Sequence, residues 1–173
     1  MYSSMDNPWG LFYLLIWAVS RCLNYPGAGQ MKYIEDVLNK KGTDIWSIDV
    51  EESVYRAIEL MAEKHVGALM VKNGSKLAGI VSERDYARKV ILKGRSSKAT
   101  KVEDIMTRDI IFARPEHDVD ACLALMSEKD IRHLPILTNG ELKGMVSLGD
   151  LVKTVIEEQQ TRIEQLENYI FVE

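Results

Sequence analysis

Long apolar runs, paired metal ligands, a dense set of cysteines and a strong charge of either sign are all missing from this chain. The two cysteines, Cys22 and Cys122, lie in different segments without ligand spacing. That excludes a disulfide framework or zinc ribbon and leaves reduced thiols in a cytoplasmic protein as the expectation. None of His65, His117 and His133 forms an H-E-x-x-H pair, so no metal site is expected. A net charge of −4 over 173 residues gives no global pull toward nucleic acid or anionic membrane, and no basic stripe with stacking aromatics stands out. Catalytic signatures are missing too. Gly27-Ala28-Gly29-Gln30-Met31-Lys32 lacks the later glycine and the Lys-Ser/Thr ending of a P-loop. Gly79 to Asp85 has no glycine placed for a nucleophile elbow. No catalytic residue is expected, and the chain does not read as an enzyme.

One apolar stretch, Trp9 to Val19, ends at Ser20-Arg21 and falls short of the roughly 20 residues of a membrane span. It has neither the basic start nor the cleavage site of a secretory signal. It reads as a helix packed on the body or across a dimer interface, in preference to membrane contact. Tyr25 to Gly29 reads as a linker.

What the chain does have is a repeat. Ile45–Asp85 realigns without a gap on Ile110–Asp150, 65 residues on, with Glu51/Glu116, Val54/Val119, Met61/Met126, Leu69/Leu134, Gly79/Gly144, Ser82/Ser147 and Asp85/Asp150 among the identities. Identities spread over a whole supersecondary unit mean two copies of one fold, packed as a pseudo-twofold pair. Each copy reads strand, helix, strand, turn, strand, helix. In the first, Asp44–Ile48 is the opening strand and Asp49 the helix cap, with Glu52 at the capping-box position. Val54, Ala57, Ile58 and Met61 form the buried stripe. Asn73-Gly74 closes a hairpin, and a second helix runs from Ser82 to about Lys93. In the second copy Pro115 suits the first helical turn; Val119, Cys122, Leu123 and Met126 form the stripe, and Asn139-Gly140 the hairpin. The last helix continues beyond the repeat with Val152, Ile156, Gln159, Ile163, Leu166 and Ile170 at heptad spacing, a dimerisation seam or an intramolecular packing face.

Both copies end on G-h-x-[ST]-x-x-[DN], as Gly79-Ile80-Val81-Ser82-Glu83-Arg84-Asp85 and Gly144-Met145-Val146-Ser147-Leu148-Gly149-Asp150. The glycine lets a strand end approach a ligand. A serine at a helix N-terminus stands where free N–H groups and the macrodipole favour phosphate. An aspartate one turn later faces the same way and accepts from ribose hydroxyls. The same residues also suit plain N-caps and first-turn acids.

With Ile105-Met106-Thr107 and Ile131-Arg132-His133-Leu134-Pro135, these motifs closely resemble a tandem pair of cystathionine-β-synthase (CBS) domains, a Bateman module of the stand-alone bacterial type. The resemblance covers roughly Met31 to Ile170. It implies an α/β (α+β) fold of two pseudo-twofold-related β-α-β-β-α units packed through their sheets, with extra N-terminal and C-terminal helices. Residues 1–30 would be the apolar segment and linker, 31–100 the first repeat, and 101–173 the second with its dimerisation helix. Asp85 and Asp150 would hold ribose, with Ser82 and Ser147 on the phosphate side. Arg84, Arg132 and His133 would add phosphate contacts, although Arg132 also suits a salt bridge and His133 a packed core. Ala68 would leave room for an adenine ring, Ile45 and Ile110 would flank it, and Met106 and Thr107 would line the cleft.

The function this implies is a regulatory sensor of AMP, ATP or NAD(H) that acts through homodimer geometry on a further protein. The other reading is a scaffold with empty clefts.

Overall fold

The computed structural model describes residues 33–171; the apolar run at 9–19, the linker and Cys22 lie outside the described residues. Among the described residues, five α-helices and two small sheets make a mixed α/β fold, as the resemblance implied. Helix α1 (Ile34–Lys41) comes first. The first copy follows as β1 (Ser47–Asp49), α2 (Val54–Lys64), β2 (Ala68–Asn73), β3 (Lys76–Ser82) and α3 (Glu83–Lys89). The second copy comprises α4 (Val119–Glu128), β4 (His133–Thr138), β5 (Glu141–Ser147) and α5 (Leu148–Phe171). Strand β1 runs parallel to β2, and β2 antiparallel to β3. Strands β4 and β5 repeat the β2–β3 hairpin, including a bulge at the equivalent place.

Local chemistry moves several expected boundaries. Helix α2 is capped by Ser53, whose Oγ accepts from Arg56 N, and not by Asp49. Asp49 instead accepts from Glu51 N at 3.0 Å and shapes the turn before the cap. In the second copy Asp118 caps α4 through Asp120 N and Ala121 N, so Pro115 precedes the helix and does not open it. Strand β2 keeps Asn73, and the tight loop is Gly74-Ser75, with Gly74 at φ +60°. The second loop is Asn139-Gly140 as expected, both at positive φ. Helix α3 stops at Lys89 and gives way to a 3-10 turn over Ile91–Lys93.

The opening strand survives in only one copy. In the first, Met70 N donates to Trp46 O at 3.1 Å, anchoring the strand lead-in. The equivalent residue in the second copy is Pro135, which has no N–H to give. Pairing there shrinks to one bridge, with Ala113 N donating to Pro135 O and Leu137 N to Ala113 O.

Neither core is closed by its own copy. Ile34, Val37 and Leu38 of α1 precede the first copy yet are buried in the second core, with Ala113, Val119, Met126, Leu134 and Leu151. Val102, Ile105 and Met106 precede the second copy yet are buried in the first core, with Val54, Met61, Leu69 and Val81. The backbone repeats this exchange bond for bond. Ile34 N reaches His117 O and Glu35 N reaches Pro115 O, just as Val102 N reaches Glu52 O and Glu103 N reaches Val50 O. Burying the three apolar residues of α1 contributes roughly 5–8 kcal/mol before entropy. That is comparable with the whole net stability of a small domain.

This exchange also revises the role of the motif glycines. A Cβ on Gly79 would stand 2.7 Å from Thr107 O, and one on Gly144 would stand 2.6 Å from Leu38 Cδ2. Each glycine makes room for the inserted segment; ligand approach is not what the geometry requires. The two obstacles differ in compliance. Thr107 is fixed by bonds in both directions with Ile80, whereas Leu38 offers the end of a flexible side chain. Gly79→Ala is therefore expected to destabilise by about 2–3 kcal/mol and Gly144→Ala by about 1 kcal/mol. Urea unfolding of the two variants checks the order.

Candidate functional site

Each motif folds into the same small constellation. At the end of β3, Ser82 N and Ser82 Oγ both donate to Asp85 Oδ2, at 3.0 and 2.6 Å, and Asp85 N returns a bond to Ser82 Oγ. At the end of β5, Ser147 N and Oγ both donate to Asp150 Oδ2 at 2.7 Å, and Asp150 N returns a bond to Ser147 Oγ. The strand delivers the serine and the helix delivers the aspartate one turn later. Both carboxylates retain some solvent access, with 17% of the Asp85 side chain and 27% of the Asp150 side chain exposed.

Two lysines outside the motif reading complete the clusters. Lys89 of α3 donates to Asp85 Oδ1 at 2.6 Å and to Ile105 O at 2.6 Å. Lys41, the last residue of α1, donates to Asp150 Oδ2 at 2.5 Å and to Met145 O at 3.1 Å. The first lysine comes from the motif's own helix and the second from the exchanged one. Burial alone would raise the Asp150 pKa, but the bonds from Lys41 and Ser147 outweigh it and hold the carboxyl below its ordinary value.

The start of β4 brings the second copy's cations together. His133 stands opposite Ser147 in the hairpin register, where the first copy has Ala68 opposite Ser82. The imidazole Nε2 is 3.1 Å from the position of a Cβ on Gly67, so the copies touch there. Burial pushes its pKa below the ordinary 6.5. Lys41, Arg132 and Arg84 push the same way, against Asp150. Arg84 crosses to the other copy, pairing with Asp130 Oδ2 at 3.0 Å and donating to Asp130 O at 2.6 Å. Arg132 is exposed, and its guanidinium has no protein partner among the described residues. Arg84, Arg132, Asp130, Ser127, Met126 and Leu148 line a depression of about 310 Å³.

The other expected site residues differ in how much surface they offer, and Ala68 lies opposite Ser82 in the hairpin register. Ala68 is fully buried and Met106 is 9% exposed, so both belong to the first core and present little surface to a ligand. Thr107 is exposed and pairs through its backbone with Ile80. Ile45 and Ile110 are half-buried in the segments before β1 and before Ala113. The larger depression, about 480 Å³ between Glu35, Asn39, Glu116 and Lys143, lies at the hairpin-turn end of the second copy and contains none of the expected residues. No group of metal-ligating side chains occurs among the described residues. Cys122 is buried, which pushes its thiol up to about 11 and makes it a packing residue.

Residues 34–91 and 102–157 each match the CBS domain. The chain therefore belongs to the CBS-domain family, with two such domains in tandem. Among relatives, it is 42% identical over 147 residues to the mitochondrial CBS domain-containing protein CBSX3 of Arabidopsis thaliana, covering 79% of this chain and 71% of that one. A putative signal-transduction protein with CBS domains from Burkholderia ambifaria superposes with a TM-score of 0.72 at 50% identity, over 74% of this chain and 96% of the other. The CBS domain pair of MJ0100, solved with 5′-methylthioadenosine and S-adenosyl-L-methionine, shares the fold at a TM-score of 0.66 and 21% identity, over 75% and 99% of the two chains.

His133 carries a pH prediction. The folded state disfavours its protonation, so below the ordinary histidine pKa the unfolded chain binds the extra proton. Stability is then lost as pH falls through 6.5. Urea unfolding at about pH 7.5 and about pH 5.5 should show a smaller loss for His133→Gln than for the native chain. An equal loss in both would remove His133 from the pH response.

Proposed function

We propose that this protein is a regulatory sensor of an adenine nucleotide (AMP or ATP, or NAD(H)) and that it has no catalytic activity of its own. CBS pairs are in general regulatory, nucleotide-binding modules. The observation that carries the reading is the doubled Ser–Asp constellation at Ser82/Asp85 and Ser147/Asp150, with arginines at hand. A serine at a helix N-terminus suits phosphate, and the aspartate suits ribose hydroxyls. The Arg132 guanidinium, without a protein partner among the described residues, would take a phosphate by its fork geometry, and Arg84 lines the same depression. Ile45, Ile110 and Thr107 would contribute through their backbones and exposed edges, and Ala68 and Met106 through the shape they give the cleft floor. The adenosine ligands of MJ0100 support an adenine compound in general. Methylthioadenosine and S-adenosylmethionine have no phosphate for these arginines to bind, so a phosphorylated nucleotide fits better.

The signal would pass through a homodimer. Val152, Ile156, Ile163, Leu166 and Ile170 of α5 keep heptad spacing and are 43–73% exposed, so the seam is not spent among the described residues. A second copy of the same helix is the self-complementary occupant. Residues 31–100 and 101–173 serve as the two repeats. The regulated protein would be reached through that dimer, without nucleic acid and with the N-terminal segment against protein in preference to membrane. Among the described residues no helix is long and apolar enough to cross a membrane. The cytoplasmic location read from the thiols belongs to this proposal; the Arabidopsis relative is mitochondrial by name.

Calorimetric titration with AMP, ATP, NAD⁺, NADH and S-adenosylmethionine tests the reading. Saturable binding of a phosphorylated adenine nucleotide is expected, lost in Asp85→Ala/Asp150→Ala with the far-UV spectrum retained. Binding of none by a folded dimer would leave the scaffold as the function. Sedimentation of Ile163→Glu/Leu166→Glu should show a monomer where the native chain is a dimer.

A further inference from the structure

The two clefts are held by lysines of different origin, and the difference is chemical. At the first, Asp85 has both oxygens engaged: Oδ2 by Ser82 and Oδ1 by Lys89. A ribose hydroxyl has to share Oδ1 with Lys89 to reach that carboxylate. At the second, Ser147 and Lys41 all converge on Oδ2, and Oδ1 of Asp150 has no hydrogen-bond partner among the described residues. A hydroxyl donor finds an open acceptor there with the ion pair intact.

Lys41 is also unusually well placed for a flexible residue. It ends α1, whose Ile34, Val37 and Leu38 are buried in the second core, and Gly42 at φ +95° turns the chain away immediately after it. Its backbone origin is therefore fixed. An ammonium has three donors; Lys41 spends one on Asp150 and one on Met145 O, as Lys89 does on Asp85 and Ile105 O, and its third has no acceptor among the described residues. Close enough to feel both Lys41 and Asp150 electrostatically stands His133, where the first copy has Ala68. The second cleft thus presents one carboxylate oxygen and one ammonium donor without partners among the described residues, with His133 next to them.

We infer that Lys41 is a specificity-determining residue that reserves the Asp150 cleft for a phosphorylated nucleotide, reading the phosphate while Asp150 Oδ1 reads the ribose. This rests on the sensor reading above and assigns within it which cleft takes the phosphate and which side chain enforces it. The Asp85 cleft, where Lys89 takes one site of Oδ1 and no counterpart of His133 stands, discriminates less between a nucleotide and its nucleoside.

The test compares AMP with adenosine by calorimetry on two backgrounds, Asp85→Ala to isolate the second cleft and Asp150→Ala to isolate the first. On Asp85→Ala, AMP is expected to bind at least about tenfold more tightly than adenosine, a difference of about 1.4 kcal/mol. Adding Lys41→Met should collapse that ratio toward one by weakening AMP while adenosine binding holds. Lys41→Arg should keep the preference. On Asp150→Ala, Lys41→Met should change nothing. A lysine that merely ties α1 down would move both ligands together, so an unchanged AMP-to-adenosine ratio in folded Lys41→Met overturns the inference and leaves the sensor reading standing. Failure of the folded native chain to bind AMP or adenosine overturns the inference, and failure to bind ATP and NAD(H) as well overturns the sensor reading.

Discussion

The rest of this structure depends on the exchange of lead-in segments between the two copies. Each copy alone presents a sheet and helices with an open apolar face. The piece that covers it belongs to the approach to the other copy: α1 covers the second, and Val102 to Met106 covers the first. Apolar burial is the dominant favourable term, and each copy is small enough that such a piece matters to its net stability. The copies therefore stand as one cooperative body, and the motif glycines are required by that packing: only a residue without Cβ lets Met106 and Leu38 lie so close to β3 and β5.

The exchange is symmetric in the backbone and asymmetric in its side chains. Paired bonds such as Ile34 N to His117 O and Val102 N to Glu52 O repeat to within the same length, 2.9 Å. Yet α1 runs on as a helix to Lys41, whereas the equivalent segment breaks after Asp104 and pairs Thr107 with Ile80. That continuation is what carries a lysine to Asp150 from outside its own motif, and its absence leaves Asp85 to Lys89. Pro135 works in the same direction, removing one N–H and with it the second copy's opening strand.

Much of this was legible in the sequence. The 65-residue register placed both motifs, both hairpins and the buried stripes of α2 and α4, because helical and strand periodicities survive in short amphipathic elements. Caps were less legible: Asp49 looks like the cap of α2, and only the turn that it closes onto Glu51 hands the role to Ser53. The exchange was hidden for a simpler reason. Ile34-Glu35-Asp36-Val37-Leu38-Asn39 and Val102-Glu103-Asp104-Ile105-Met106-Thr107 are clear relatives, but they lie 68 residues apart and fall outside the gap-free alignment. Lys41 and Lys89 carried no signal at all, since they are neither at equivalent positions nor within the motif. Their meeting with the aspartates is a product of tertiary packing.

That packing also sets what a ligand at Asp150 would have to work against. A ligand shifts a conformational equilibrium only by its differential affinity for the two states. Asp150 touches Lys41, and Lys41 ends α1; the residue before it, Lys40, pairs with Glu157 of α5 at 2.5 Å. Helix α5 in turn carries the exposed heptad seam. A surface pair such as Lys40–Glu157 holds little energy by itself, so it cannot drive a rearrangement. The buried face of α1 holds much more, and α1 cannot shift without opening the second core. Under the sensor reading, the differential affinity must therefore be expressed as a small rigid displacement of α1 together with α5, and not as release of α1. A ligand at Asp85 meets a different path, through Lys89 to Ile105 O of the other exchanged segment, and that path does not include α5. The inequivalence of the two clefts is thus mechanical as well as chemical, and both follow from which segment supplies the lysine.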